Sequence, residues 1–290
     1  MNYTVYHCHT ENSLLDSCTN YKLYVDRAVQ LGQCAIAFTE HGNIYNWVEK
    51  KMYCDSKGIK YIHGIEVYLT ETLEEKVRDN FHTILLAKNY EGVKEINKLF
   101  RLSHNVDHFY YKPRITFDEF CNISNNVITT SACLQSPLNY WRLHNKEFDK
   151  DRRAIYLRVA KRYDYLEIQY HNISDQKEFN RFLYELSGKI NTPLIVGTDT
   201  HNIDSYKAEC RTILQYGKEI MFSNEDEFDL TYKTYDELVV AFENQNALPK
   251  GVVLEAIENT NRMANDIENF ELDLSFKYPI LYGDNDEAVL

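Results

Sequence analysis

The sequence predicts an α/β barrel with a short helical extension, on three observations. Short β-rich runs alternate with polar segments of helical period, a pattern that signals βαβ units and a parallel sheet. A chain of 290 residues with 44% hydrophobic content can bury one large core. Side chains able to bind metal recur where the expected strands end, the face on which barrels of βα units gather their functional groups.

Seven strands are expected, at Tyr3–His7, Cys34–Thr39, Ile59–Leu69, Phe81–Ala87, Asn126–Ser131, Tyr165–Tyr170 and Pro193–Gly197. Between them Tyr21–Leu31, Ile44–Ser56, Glu91–His104, Lys150–Arg162 and Asp175–Lys189 place apolar residues at helical intervals. The stretch from about Asp107 to Cys121, with the string HFYYKPRI, lacks a clear period and is expected to be a surface loop beside the site. After Gly217 the composition turns acidic and polar, and two helical stretches follow, Tyr235–Asn244 and Gly251–Asn269, before an extended tail through Pro279. The expected division is a barrel over residues 1–220 and an appended helical extension over 221–290.

No run of 18 or more apolar residues occurs, and the opening MNYTVYHCHT has neither a basic leader nor an apolar signal core. Seven cysteines without a CxxC pair suit a reducing compartment, so no membrane association and a cytoplasmic location are expected. A formal charge of −12 argues against a generic nucleic-acid coat, since such binding rests on Lys and Arg. It does not exclude a nucleic-acid enzyme, because cations held by clustered carboxylates reverse the local sign.

The chemistry-bearing residues follow the strands. His7 and His9 stand two apart, so an extended chain aims both rings to one side. Asp16 lies in the next turn, His41 after the second strand, Glu66 in the third, His82 in the fourth and Cys133 after the fifth. Asp199 and His201 follow the seventh. Each has a bland reading alone: a lone His such as His82 is more often a hydrogen-bonded core residue, Cys133 an inert hydrophobe, Asp16 a turn residue. Glu66 and Asp199 resist that reading, because a carboxylate in an apolar strand region is costly to bury without a cation or strong donors. Five imidazoles, three carboxylates and one thiol form a mixed set that suits two or three divalent ions of Zn, Mn or Fe rather than Ca.

These residues sit in motifs. YHCHTENSLLDS, FTEHGN, GIEVYLT, FHTILLAKN, TSACL, EIQYH and VGTDTHN resemble, in order, those of the PHP (polymerase and histidinol phosphatase) domain at the amino terminus of bacterial DNA polymerase III alpha subunits. The resemblance runs almost end to end, and NTNRMANDIENFELDL and FKYPIL are similar to the stretch that leads into the polymerase palm. It implies a distorted seven-stranded (βα) PHP barrel with His7, His9, Asp16, His41, Glu66, His82, Cys133, Asp199 and His201 as metal ligands. Glu40, where the family usually has Asp, and Ser17, where it usually has Gly, are departures at positions that are not ligands.

A complete ligand set resembles that of metal-dependent 3′–5′ exonucleases, and the expected reaction is hydrolysis of DNA phosphodiesters by a metal-activated hydroxide, in proofreading for a replicative polymerase. Asp199, Glu66 and His9 are the expected catalytic residues. Lys112, Arg114 and His171 are the expected substrate contacts, with Tyr110 and Tyr111 as stacking platforms for unpaired bases. The expected substrates are single-stranded or mismatched 3′ ends, and the expected partner is a polymerase or replisome component. On length, palm and fingers modules are not expected within these 290 residues. Two alternatives stand beside this: a phosphatase acting on small or protein phosphomonoesters, and a non-catalytic, metal-stiffened interaction module.

Overall fold

A computed structural model of the chain describes residues 1–74, 77–220 and 228–276. In chain order the helices and strands are α1 (Tyr21–Gln30), β1 (Ala35–Phe38), α2 (Trp47–Lys57), β2 (Lys60–Thr70), β3 (Phe81–Ala87), α3 (Tyr90–Ser103), β4 (Phe109–Tyr110), β5 (Lys112–Thr116), α4 (Phe117–Cys121) and β6 (Val127–Thr130). Then come α5 (Pro137–His144), α6 (Lys150–Arg162), β7 (Leu166–Ile168), α7 (Ser174–Ile190), β8 (Leu194–Val196), α8 (Ser205–Gly217), α9 (Tyr235–Gln245) and α10 (Lys250–Asp266). Local chemistry sets many of the boundaries. Asn20 caps α1 by accepting from Lys22 N–H, Thr116 and Glu119 form a reciprocal capping box on α4, and Gly58 ends α2 at φ +70°. No helix of the described residues is long and apolar enough to cross a membrane.

β2 is the central strand, pairing in parallel with β1 and β5 and antiparallel with β3, which in turn pairs antiparallel with β6. β7 and β8 form a separate parallel pair. Single parallel bridges join the rest: Thr130 to Tyr165, Cys8 to Thr200, and Val5 to Ile36. The neighbour order therefore runs in a closed circuit from residues 3–8 through β1, β2, β3, β6, β7 and β8 and back.

Three expectations are corrected. The sheet is not parallel throughout: the Thr70-to-Phe81 connection is too short for a crossover helix, so β3 turns back antiparallel. The first expected strand is no assigned strand. Its backbone is held instead by scattered bonds such as His9 N to Thr200 O, 2.8 Å, and by side chains, with Cys8 N donating to Thr39 Oγ1 at 3.1 Å. The expected loop at 107–121 contains the β4–β5 hairpin and α4.

The inner layer is apolar at one end of this circuit, where Tyr6, Ala35, Ala37, Ile62, Ile84, Leu86, Ile128 and Ile195 pack with Met263, Ala264 and Ile267 of the α10 region. What the sequence suggests is an appendage thus seals the ends of the parallel strands opposite the chemistry-bearing loops. Asn259 donates to Leu194 O at 2.8 Å, and Thr4 N donates to Thr260 Oγ1 at 3.0 Å. The remainder of the expected extension, 221–227 and the tail from 277 through Pro279 with most of FKYPIL, lies outside the described residues.

Lys60 Nζ donates to Ala264 O at 2.9 Å and Ile267 O at 2.8 Å, placing a cation on the carboxyl end of α10. Lys60→Met is expected to lower unfolding free energy by about 1–2 kcal/mol. Urea denaturation checks this, and bound metal and activity should not change, because the site lies at the other end.

Candidate metal centre

The loops after the parallel strands and the start of antiparallel β3 meet at one end, and all nine expected ligands converge there. The shortest contacts form one connected set. Glu66 Oε2 lies 3.1 Å from His7 Nε2, and Glu66 Oε1 lies 2.6 Å from His41 Nδ1 and 2.9 Å from His82 Nδ1. Asp199 Oδ1 is 3.1 Å from His7 Nε2 and 3.3 Å from His9 Nε2. Asp16 Oδ2 is 2.8 Å from His41 Nε2 and 3.3 Å from His201 Nε2, and Cys133 Sγ is 3.5 Å from His82 Nδ1. His82 arrives from the beginning of its strand, not the end, because β3 runs backwards.

Three rings are pinned from behind. His7 Nδ1 meets the Glu167 carboxylate at 2.6 Å and must donate to it. His201 Nδ1 donates to Asp199 O at 2.8 Å. The Ser13 hydroxyl donates to Glu40 Oε2 at 2.5 Å, which leaves its oxygen to accept from His9 Nδ1 at 3.2 Å. Each bond fixes the tautomer whose Nε2 lone pair faces the cluster, the arrangement metal-binding histidines need.

The electrostatics agree. Burial raises the Glu66 carboxyl, but His82 and His41 charge, with hydrogen bonds from His41 and His7, hold its pKa well below the usual carboxylate range. Burial opposes protonation of His7 too, yet Asp199 and Glu167 outweigh it and raise its pKa well above the ordinary value. His9 goes the other way, down to about 3, through burial and then repulsion from His41 and His201. Protons and cations would compete for these lone pairs.

Whether cations fit can be judged from the donors alone. Among the described residues, buried His9 Nε2 and Asp199 Oδ1 have no hydrogen-bond partner, an expensive condition for polar atoms unless something else binds there. Three overlapping groups bring their ligand atoms within 4.8 Å of one another: His9, His41 and His201; His7, His9 and Glu66; His41, Glu66 and His82. Such a nitrogen and oxygen set fits divalent transition-metal ions.

A surrounding layer was not singled out from sequence. Glu167 is fully buried and accepts from Tyr6 OH, Thr130 Oγ1 and Gln169 Nε2, each at 2.9 Å, besides His7. Arg211 of α8 grips Asp16 through Nε to its carbonyl at 2.7 Å and through Nη2 to Oδ1, leaving Oδ2 to the histidines. Glu40 accepts from Lys50 Nζ at 2.6 Å, Thr10 Oγ1 at 2.5 Å and Ser13, and so anchors the turn that carries Asp16. Ser17, the other departure, donates to His201 O at 2.6 Å and ties two site loops together. Left-handed backbone at Leu15, Ala132 and Asp199, φ +67°, +56° and +47°, flanks or includes site residues, which is where strain tends to be tolerated.

A cavity of about 670 Å³ opens onto the cluster, lined by Asp16, His41, His82, Cys133, Asp199 and His201 among others. Of the expected substrate contacts, Lys112 lies on its wall, above the Tyr68 ring with Nζ 5.1 Å from the centroid. Gly42 at φ +62° permits this seating, since a Cβ there would stand 2.8 Å from Pro113 Cγ. Arg114 does not reach the cavity: its guanidinium is buried and donates to Val77 O at 2.8 Å and His108 O at 3.4 Å. His171 is buried behind the wall, stacked on Phe228 with centroids 4.5 Å apart. Tyr111 packs under the Arg78 guanidinium, 4.2 Å from its centroid, and Tyr110 faces Arg114; neither lines the cavity.

A model of the PHP domain family matches residues 6–171. The DNA polymerase III subunit alpha of Borreliella burgdorferi is 32% identical over 290 residues, covering 95% of this chain and 24% of that protein. That of Helicobacter pylori strain J99 is 29% identical, covering 98% of this chain and 25% of the other. The chain thus spans about a quarter of the length of these curated relatives. Among solved structures, a two-domain protein from Bacteroides vulgatus containing a predicted PHP-like metal-dependent phosphoesterase aligns with a TM-score of 0.45 at 12% identity, covering 84% of this chain and 63% of the other.

Proposed function

The chain belongs to the PHP domain family, and from that premise we propose that it hydrolyses phosphoesters with bound divalent cations, acting as a 3′–5′ exonuclease on DNA. The observation that carries this reading is the set of three pinned imidazoles, His7, His9 and His201, whose inward Nε2 atoms meet Glu66, Asp16 and Asp199. On this reading the closed strand circuit is the family's distorted seven-stranded barrel, and His7, His9, Asp16, His41, Glu66, His82, Cys133, Asp199 and His201 hold two or three ions of Zn, Mn or Fe. The match to polymerase subunits along nearly the whole chain supports DNA as the substrate and a polymerase or replisome component as the partner.

Bound cations supply Lewis acidity, acidifying water and neutralising phosphoryl oxygens. The protein's own part is placement. Asp199 Oδ1, buried and without a hydrogen-bond partner among the described residues, orients the attacking water and takes up its proton. Glu66 and His9 hold the cluster beside it, and Lys112 on the cavity wall binds a non-bridging phosphate oxygen. Arg211 keeps the Asp16 carboxylate turned so that one oxygen faces the histidines.

The formal charge of −12 supports a second reading, a phosphomonoesterase for small substrates. One set of measurements separates the two: elemental analysis of the purified chain, then digestion of 3′-labelled single-stranded and mismatched DNA beside p-nitrophenyl phosphate. Loss of 3′-terminal nucleotides with the phosphomonoester untouched is the expected result. Chelation should abolish that activity and lower the melting temperature by about 5–10 °C, the effect of losing ligands bound at a hundredfold excess over Kd. Undiminished DNA digestion by metal-free protein would end the proposal.

A further inference from the structure

Among the described residues, three large apolar side chains are exposed on the cavity rim: Leu14, Leu15 and Tyr45, with 74%, 42% and 52% of their surface exposed. They come from two separate loops, held together by an amide clasp. Asn43 Nδ2 donates to Asn12 O at 3.1 Å, Asn46 Nδ2 donates to Asn12 Oδ1 at 3.0 Å, and Tyr45 N donates to Asn43 Oδ1 at 3.0 Å. The leucine turn is fixed on both sides. Ser13 before it is bonded to buried Glu40, and Asp16 after it is gripped by Arg211. Leu15 is held at φ +67°, a conformation that is strained for a residue with a β-carbon.

From this geometry we propose that Leu14, Leu15 and Tyr45 form a nucleobase subsite, which receives the base of the nucleotide whose phosphate reaches the His and Asp cluster. The inference rests on the DNA reading above and deepens it. The three side chains carry no charge, and a base offers a flat apolar face to stack on whatever its identity, so the subsite is tolerant of sequence. The cavity, at about 670 Å³, is in the range that holds whole organic ligands, well beyond a phosphate group. Asp16, which follows Leu15 directly, and His41, four residues before Tyr45, belong to the cluster itself, so a base on the rim and a phosphate on the cluster are neighbours.

The test uses the full chain, wild type and two variants, Tyr45→Ser and the double substitution Leu14→Ser with Leu15→Asn; Asn accepts the left-handed backbone that Leu15 occupies. Substrates are a single-stranded oligonucleotide, the same strand with an abasic 3′-terminal residue, and glycerophosphocholine, a small phosphodiester with no aromatic ring. Each variant is expected to lose roughly tenfold in kcat/KM on the intact strand, mainly through KM. Turnover of the small diester should be unchanged, and wild type and variants should become equal on the abasic strand. A 3′-terminal 2-aminopurine should lose fluorescence on binding wild type and lose less on binding the variants. Equal losses on both substrates, or none on DNA, overturn the subsite; so does a fluorescence change indifferent to the variants, which would leave the rim to a protein partner. If the wild-type chain turns over the small diester and no DNA, the DNA reading fails first and takes the subsite with it.

Discussion

Glu66→Gln is expected to yield a folded chain that binds less metal and hydrolyses phosphodiesters at least roughly 10³-fold more slowly. Glu66 is fully buried, and its two oxygens serve four imidazoles: His41 and His82 at 2.6 and 2.9 Å, His7 and His9 at 3.1 and 3.8 Å. Among the described residues, two of the three groups able to hold an ion include it. Gln keeps the shape but halves the acceptor capacity, removes the negative charge and turns an NH₂ group toward nitrogen lone pairs or cations. Elemental analysis and kcat/KM measure the two losses directly. Thermal melts supply a third reading: saturating Mn should raise the wild-type melting temperature, and that increment should shrink in the variant. Glu71→Gln, at a carboxylate that pairs with Arg152 outside the cluster, is the control. A Glu66→Gln chain with full metal content and full rate would remove Glu66 from the centre and with it the present account of the site.

How far this site was legible in sequence depended on which physical rule a residue obeyed. His7 and His9 were readable because extended backbone has a period of two, and Asp199 and His201 because the same spacing follows the last strand. His82 was located through a rule that does not apply to it, since its strand is antiparallel and delivers the ring from the other end. Glu167 carried the same signal as Glu66, a carboxylate inside an apolar strand run, but nothing local distinguished it from a solvated face. Arg211 had no signal at all: on a helix beyond the last expected strand it reads as a surface cation, and only tertiary packing brings it to Asp16. Arg114 shows the reverse. It has the chemistry of a phosphate ligand, yet two backbone carbonyls hold it away from the cavity, and carbonyls leave no trace in sequence. The helix boundaries were legible where capping residues or clean periodicity mark them, as in α6; the hairpin β4–β5 was not, because two- and five-residue strands are too short to show a period.

Glu167 and Gly197 should behave as one unit, and the second large effect follows from that. Glu167→Ala strips the acceptor from four buried donors, His7 Nδ1, Tyr6 OH, Thr130 Oγ1 and Gln169 Nε2. Leaving such groups unpaired is expected to cost on the order of 3–5 kcal/mol of stability, and freeing the His7 ring should weaken metal binding about 10- to 100-fold. Gly197 lies directly against this carboxylate: a Cβ there would fall 1.9 Å from Glu167 Oε1, while its own φ is not in the left-handed region. The obstacle to alanine at 197 is therefore the Glu167 side chain rather than the backbone. Gly197→Ala alone must push the carboxylate off His7 and should reproduce much of the Glu167→Ala phenotype. In a chain that already carries Glu167→Ala, the clashing atoms are gone, and adding Gly197→Ala should cost little further stability. The cycle of two single variants and the double, read by urea unfolding and by metal content, should show strong non-additivity. Additive losses would mean that Gly197 is constrained by something other than Glu167, and that the carboxylate does not hold His7 in the position from which its Nε2 faces the cluster.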